Sequence, residues 1–220
     1  MCFRMGWFKK IMQKHLNISN PGFYNMNMSR TEISHLLRAW FIISLAFAIA
    51  FVGITFEPAF LIVVAISGFT VGIGFIFHEL GHKFLAQKYG CWAEFRANNF
   101  MLGLALLFSF MGFIFAAPGA VHIKGYLTKR KNAYISLIGP VINLIVGLFF
   151  GVIAFFIPET QIVCIPGMTI NFWLGLFNLL PFPAFDGFKV FIWNKAVYAL
   201  FLILAIVLTF GSGAVFSAIM

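Results

Sequence analysis

The chain has 220 residues, 62% of them apolar, 19% aromatic and only 10% charged, and its mean hydropathy is +0.99. Soluble domains carry about 45–50% apolar and about 25% charged residues, so the polar surface here is too small for a water-facing globule, and soluble, disordered and fibrous classes are excluded. The net charge of +9 in such a chain reports membrane topology rather than nucleic-acid binding.

Residues 1–38 carry Arg4, Lys9, Lys10, Lys14, Arg30 and Arg38 and lack the apolar run of a cleavable signal. Trp7, Phe8, Ile11 and Met12 recur at helical spacing beside Lys9, Lys10 and Lys14, which predicts a short amphipathic helix on the cytoplasmic membrane surface. If this end is cytoplasmic, the N-x-S sequons at Asn17 and Asn27 are chance matches. Cys2, Cys91 and Cys164 are odd in number and have no paired spacing, so they form neither a disulfide framework nor a zinc ribbon. Residues 39–220 are expected to form one transmembrane domain.

A spanning helix needs about 20 mostly apolar residues. The segments 39–56, 59–77, 100–117, 133–157, 168–185 and 196–218 qualify by hydropathy. The predicted class is therefore an all-α polytopic membrane protein of five to six transmembrane helices. Lysine and arginine in short loops favour the cytoplasmic side. If 100–117 crosses the membrane, Lys124, Lys129, Arg130, Lys131, Lys189 and Lys195 fall outside. If it is re-entrant, all 15 basic residues are cytoplasmic, and the outer connections 57–58 and 158–167 hold only Glu57 and Glu159. The charge count favours five spans and a re-entrant 100–117, with the N-terminus inside. Irregular backbone at membrane depth is permitted where protein or a wet cavity borders it, and Gly103, Gly112 and Pro118-Gly119 suit such a loop.

The chain has six acids: Glu32, Glu57, Glu79, Glu94, Glu159 and Asp186. Glu79 lies in His78-Glu79-Leu80-Gly81-His82, which matches H-E-x-x-H. On a helix, residues i and i+4 share a face, so His78 and His82 are placed to bind one metal ion with Glu79 beside them as the base. A catalytic zinc takes three protein ligands and keeps one open position. Candidates for the third are His15, His35, His122 and the remaining acids. Glu57 and Glu159 fall on the far side, while Glu32 and Glu94 sit in polar segments where a solvated acid is expected. Asp186, in Asn178-Leu-Leu-Pro-Phe-Pro-Ala-Phe-Asp186-Gly187, ends an apolar helix on the same side as His78 and His82 only when 100–117 is re-entrant. The charge count and the coordination requirement thus select the same topology. Pro181 and Pro183 interrupt a helix and Gly187 permits a turn. Asn178 and Asn143, amides on apolar helices, serve either as donors to a substrate or oxyanion or as interhelical hydrogen bonds.

HELGH at 78–82, GPVIN at 139–143 and NLLPFPAFDG at 178–187 together resemble the site-2 protease family of intramembrane zinc metalloproteases, its archaeal members in particular, over residues 60–190. The resemblance implies one zinc ion bound by His78, His82 and Asp186, with Glu79 as catalytic acid and base. It also implies a site within the bilayer toward the cytosol of a multi-pass cell-membrane protein. Its substrates would be transmembrane protein segments cut in regulated proteolysis, and Asn178 matches a family asparagine near the site. A membrane-associated β segment follows the H-E-x-x-H helix in the family, in keeping with a re-entrant 100–117. Many members carry a PDZ or CBS domain, for which this chain has no room. A free edge near Val121–Lys124 is a candidate for pairing with extended substrate, although His122 itself reads as a loop residue. A metal-ion transporter or channel using the same ligands is the alternative function, and a structural membrane subunit without metal is a further one. The oligomeric state is not written in the sequence.

Overall fold

The computed structural model describes residues 28–55, 57–114 and 118–217. The expected amphipathic helix near Trp7, the two asparagines of the sequons, and His15 lie outside these residues. The first long helix, α1 (Arg30–Val52), is capped by Ser29, whose hydroxyl accepts the Glu32 N–H. It begins nine residues before the span expected at 39, because Glu32, Leu36 and half-buried His35 pack on protein there, while Arg30, Thr31, Ser34 and Arg38 stay exposed. The helix α2 runs without a break from Pro58 to Lys88, with the proline in its first turn where no N–H is needed. Its 31 residues rise about 46 Å, more than the ~30 Å hydrocarbon core, and the H-E-x-x-H lies in its last third.

After Lys88 the chain leaves the helical path at Gly90, φ +78°, and forms β1 (Trp92–Ala97). A short helix α3 (Asn99–Ser109) follows, capped by the Asn98 side chain, and β2 (Gly119–Lys124) returns antiparallel to β1 with Phe95 opposite Val121. Eleven residues of helix cover about 16 Å, half the hydrocarbon thickness. Both ends of the 98–118 excursion are tied together by the Asn98 N–H to Pro118 carbonyl bond of 2.9 Å. The segment therefore enters and leaves at one level, as the charge count requires, and Gly112 makes its turn at φ +71°.

Next come α4 (Lys129–Phe156), a 3-10 turn at Pro158–Thr160, α5 (Gln161–Asn178), α6 (Asp186–Trp193) and α7 (Lys195–Ser217). Among the described residues five helices, α1, α2, α4, α5 and α7, are long and apolar enough to cross a membrane. The fifth candidate segment, expected at 168–185, begins seven residues earlier. Pro166 is accommodated inside α5, so the outer connection shortens to the turn at Pro158–Thr160. Residues 179–185 are non-helical, as Pro181 and Pro183 predict. Gly187 has no positive φ, contrary to the turn expected of it. Its need is space, because a Cβ there would lie 2.1 Å from the Leu179 carbonyl oxygen.

Among the described residues, two apolar clusters join the long helices, and a smaller third packs Ala86, Cys91, Ala93 and Ile135 together. Ile43, Phe47, Val71, Phe75, Leu102, Ile170 and Leu174 join α1, α2, α3 and α5. Leu144, Phe150, Met168, Phe172 and Ala205 join α4, α5 and α7. Glu32 is not solvated but 1% exposed, as is Lys83, and their side chains pair at 2.5 Å. The second Glu32 oxygen accepts the Phe95 N–H at 3.0 Å. Glu94, also expected in solvent, is 8% exposed and is held by Ser29 and by Arg96 at 3.0 Å. Removing one partner of a buried pair leaves the other charge uncompensated. Glu32→Ala is therefore expected to cost about 3–5 kcal/mol of stability, read as a lowered thermal midpoint in detergent, while Arg96→Ala at the more exposed pair costs far less.

Candidate metal centre

The helix α2 sets His78 and His82 one turn apart, with ring centroids 4.6 Å apart and planes at 84°. Their Nε2 atoms face each other at 3.0 Å. Asp186, the first residue of α6, brings Oδ2 to 3.5 Å from His78 Nε2 and 3.0 Å from His82 Nε2. The tight return of 179–185, closed by Gly187 against Leu179, is what carries this carboxylate back from the end of α5 to α2. Burial opposes ionisation of Asp186, but His82 and His78 beside it hold its carboxyl well below the usual carboxylate range. It is an anion facing two imidazole nitrogens.

The donor set fits zinc. Bonds of about 2.0–2.1 Å at tetrahedral angles put ligand atoms about 3.3–3.4 Å apart, against the observed 3.0, 3.0 and 3.5 Å. His82 Nδ1 donates to the Ile135 carbonyl at 2.6 Å, which fixes the ring and leaves Nε2 as the free donor atom. That carbonyl lies on α4 one turn before Pro140, which has no N–H to offer the Ser136 carbonyl. Asp186 Oδ1 faces Lys189 Nζ at 3.5 Å, so its two oxygens have different partners. Gly139 backs the cluster, and a Cβ there would lie 2.5 Å from His82 Nε2 and 2.6 Å from His78 Nε2. Among the described residues, this is the group of three or more metal-ligating side chains whose donor atoms converge.

The cluster opens into a cavity of about 70 Å³ lined by Phe75, Glu79, Ser136, Asn143, Leu174, Asn178 and the strand residues Gly119, Ala120, Val121 and Ile123. Glu79 is buried there with Oε2 unpartnered, and the His78 Nδ1 is likewise without a partner. Asn143 is 1% exposed, with no partner at full hydrogen-bond geometry, and its amide lies beside His78 across the helix pair. Asn178 donates to the Leu174 carbonyl of its own helix at 2.9 Å and lines the cavity wall. Of the other third-ligand candidates, His35 accepts the Ala97 N–H and His122 is exposed on β2, a strand rather than a loop. Neither belongs to the cluster. Gly139 and Lys189 are site residues the sequence reading did not single out. The first is marked by its place in GPVIN, the second by its i+3 spacing from Asp186.

The sheet presents one open edge to this cavity. On β1 the N–H groups of Phe95 and Ala97 point away from β2 and are taken by Glu32 and His35 of α1. Antiparallel partners share orientation, so Val121 and Gly119, opposite them, direct their backbone groups outward as well, on the cavity side.

Over 159 residues, 70% of its length, the chain is 44% identical to the Methanocaldococcus jannaschii protein named "Putative zinc metalloprotease MJ0611", of which it covers 82%. It is 29% identical over 143 residues to "Putative zinc metalloprotease YwhC" of Bacillus subtilis, covering 55% of this chain and 65% of that protein. It is also 29% identical over 129 residues to "Putative zinc metalloprotease Rip2" of Mycolicibacterium smegmatis, covering 50% of each. No family model and no solved structure matches the chain.

Proposed function

Because the chain belongs to the site-2 protease-type family of zinc metalloproteases, we propose that it hydrolyses peptide bonds within or near transmembrane segments of other membrane proteins, as in regulated intramembrane proteolysis. The observation that carries this reading is the position of the three donors and Glu79. They lie on or against a membrane-capable helix, α2, and in a cavity that also holds an open strand edge. His78, His82 and Asp186 would hold the zinc, which when bound acts as a Lewis acid on the scissile carbonyl and makes water a nucleophile near neutral pH.

The chain's own residues supply the rest. Glu79, buried with an unpartnered oxygen, takes a proton from the attacking water and returns it to the leaving amine. Asn143 and Asn178 are placed to donate to the substrate backbone or the oxyanion. A helix ties up its peptide groups in its own hydrogen bonds, so a helical substrate must unwind before attack, and the β2 edge offers its backbone groups a partner as it does so. The cations of the 83–96, 124–131 and 189–195 segments share one end of the molecule, whereas Glu57 and Glu159 lie at the helix ends away from it. By the rule that favours basic residues inside, that end and the site face the cytoplasm of a multi-pass cell-membrane protein.

The test uses the full chain in liposomes with a transmembrane substrate. A strong zinc chelator is expected to abolish cleavage, and added zinc to restore it. Cleavage by metal-free protein would overturn the proposal, as would a fully zinc-loaded protein that cuts no membrane substrate. The transporter alternative predicts metal flux across the same liposomes.

A further inference from the structure

The Glu32–Lys83 pair takes no part in the chemistry above, yet it sits beside it. Lys83 follows His82 directly on α2. Glu32 engages both carboxylate oxygens, one with Lys83 Nζ at 2.5 Å and the other with the Phe95 N–H at 3.0 Å. A single buried side chain therefore joins α1, the metal helix α2 and strand β1. Phe95 is in turn paired with Val121, which lines the cavity, and its ring meets Phe75, another cavity residue, at 5.6 Å.

Two consequences follow from this geometry. Among the described residues the sheet has two strands, and such a hairpin is marginally stable alone, so its place over the metal ligands depends on what anchors it. Glu32, with His35 two residues along β1 at the Ala97 N–H, occupies the outer edge of β1. That edge is closed to a pairing chain, and the β2 edge is left as the open one. Burying an ion pair is a poor way to gain stability, because desolvation offsets the attraction. The network is rooted in the first turn of α1, where the Ser29 cap orders the backbone of Glu32 and the helix dipole favours an acid.

We propose that Glu32 is a positioning residue for the protease reaction, holding the β1–β2 hairpin to α1 through the Phe95 N–H while Lys83 balances its buried charge, so that the open β2 edge presents extended substrate to His78, His82 and Asp186. This rests on the proteolytic reading of the site.

Two double variants separate positioning from bulk stability. Lys83→Met with Glu32→Gln removes both charges but keeps an oxygen for the Phe95 N–H. Lys83→Met with Glu32→Leu removes the charges and the acceptor together. With the liposome assay, the first pair is expected to keep KM within about twofold of the unaltered chain. The second should raise KM about tenfold, the scale of one lost buried hydrogen bond, with kcat within about twofold. Zinc stays near one per chain in both, and hydrogen exchange at the Phe95 and Ala97 amides accelerates only in the second. Equal KM in the two pairs overturns the proposal, as does loss of zinc and kcat in step with KM. Should the leucine pair fail to fold, a raised KM in the glutamine pair alone overturns it, and an unchanged KM with protected amides supports it. Failure of the unaltered chain to cleave would instead count against the proteolytic reading.

Discussion

Glu79→Gln is expected to leave zinc near one per chain and the thermal midpoint nearly unmoved, while cleavage of a transmembrane substrate falls about 10²–10⁴-fold, the usual worth of a positioned general base. Glutamine matches the shape of glutamate, and the carboxylate is not among the three converging donors, so the metal loses no ligand. What disappears is the group able to accept a proton and give it back. The unpartnered Glu79 oxygen in the cavity means that no protein hydrogen bond at that atom is broken by the substitution. Metal analysis beside a cleavage time course checks the prediction. Undiminished cleavage would remove Glu79 from the chemistry, and zinc loss would make it a ligand instead.

Gly139→Ala is the second large effect, and it acts on the metal rather than on the proton. The added methyl would stand 2.5–2.6 Å from both Nε2 atoms, a separation that one side or the other must relieve by moving. The imidazole of His82 is held by the Ile135 carbonyl on the same helix as Gly139, so a shift of α4 away from α2 strains the bond that orients the ring. Perturbing the groups that support metal ligands costs about 10–100-fold in metal affinity. Gly139→Ala should lose zinc to a competing chelator at a correspondingly lower concentration, with helical content unchanged. By contrast Gly103→Ala, on α3 where a Cβ meets nothing within 4 Å, should hold zinc as the unaltered chain does. Equal zinc retention in the two variants would contradict the geometry.

Much of the site was legible because its signals are local or countable. H-E-x-x-H puts two imidazoles able to share a metal on one helix face by periodicity alone, with a carboxylate beside them. Asp186, far away in sequence, became legible through a coordination requirement and a tally of cations that both needed 100–117 to return to its own side. The half-length α3 and the 2.9 Å tie between Asn98 and Pro118 agree with that tally. The Glu32–Lys83 pair stayed hidden because its partners are 51 residues apart, and a glutamate in a basic N-terminal stretch reads as solvated. A trace of it was present, since Ser29-Arg-Thr-Glu32 is a helix-start signature that moves the onset of α1 back to Arg30. The strand pairing could not be read from six-residue segments such as Trp92–Ala97, in which exposed and buried positions do not alternate cleanly. Gly139 and Gly187 were legible as glycines but not as to purpose. Both are required by how close another chain segment comes, a property of packing that no single position reveals.

α3 stops halfway. At about 16 Å against a hydrocarbon layer of about 30 Å, it is too short to cross, and Phe110 and Met111 beyond its end are exposed. A half-length segment standing in a bilayer makes lipid tails splay or the leaflet thin, at a cost of fractions of a kcal/mol for each ångström of mismatch. The expected consequence is a step in the surrounding bilayer, read as a dependence of activity on acyl-chain length when the chain is reconstituted in lipids of different thickness.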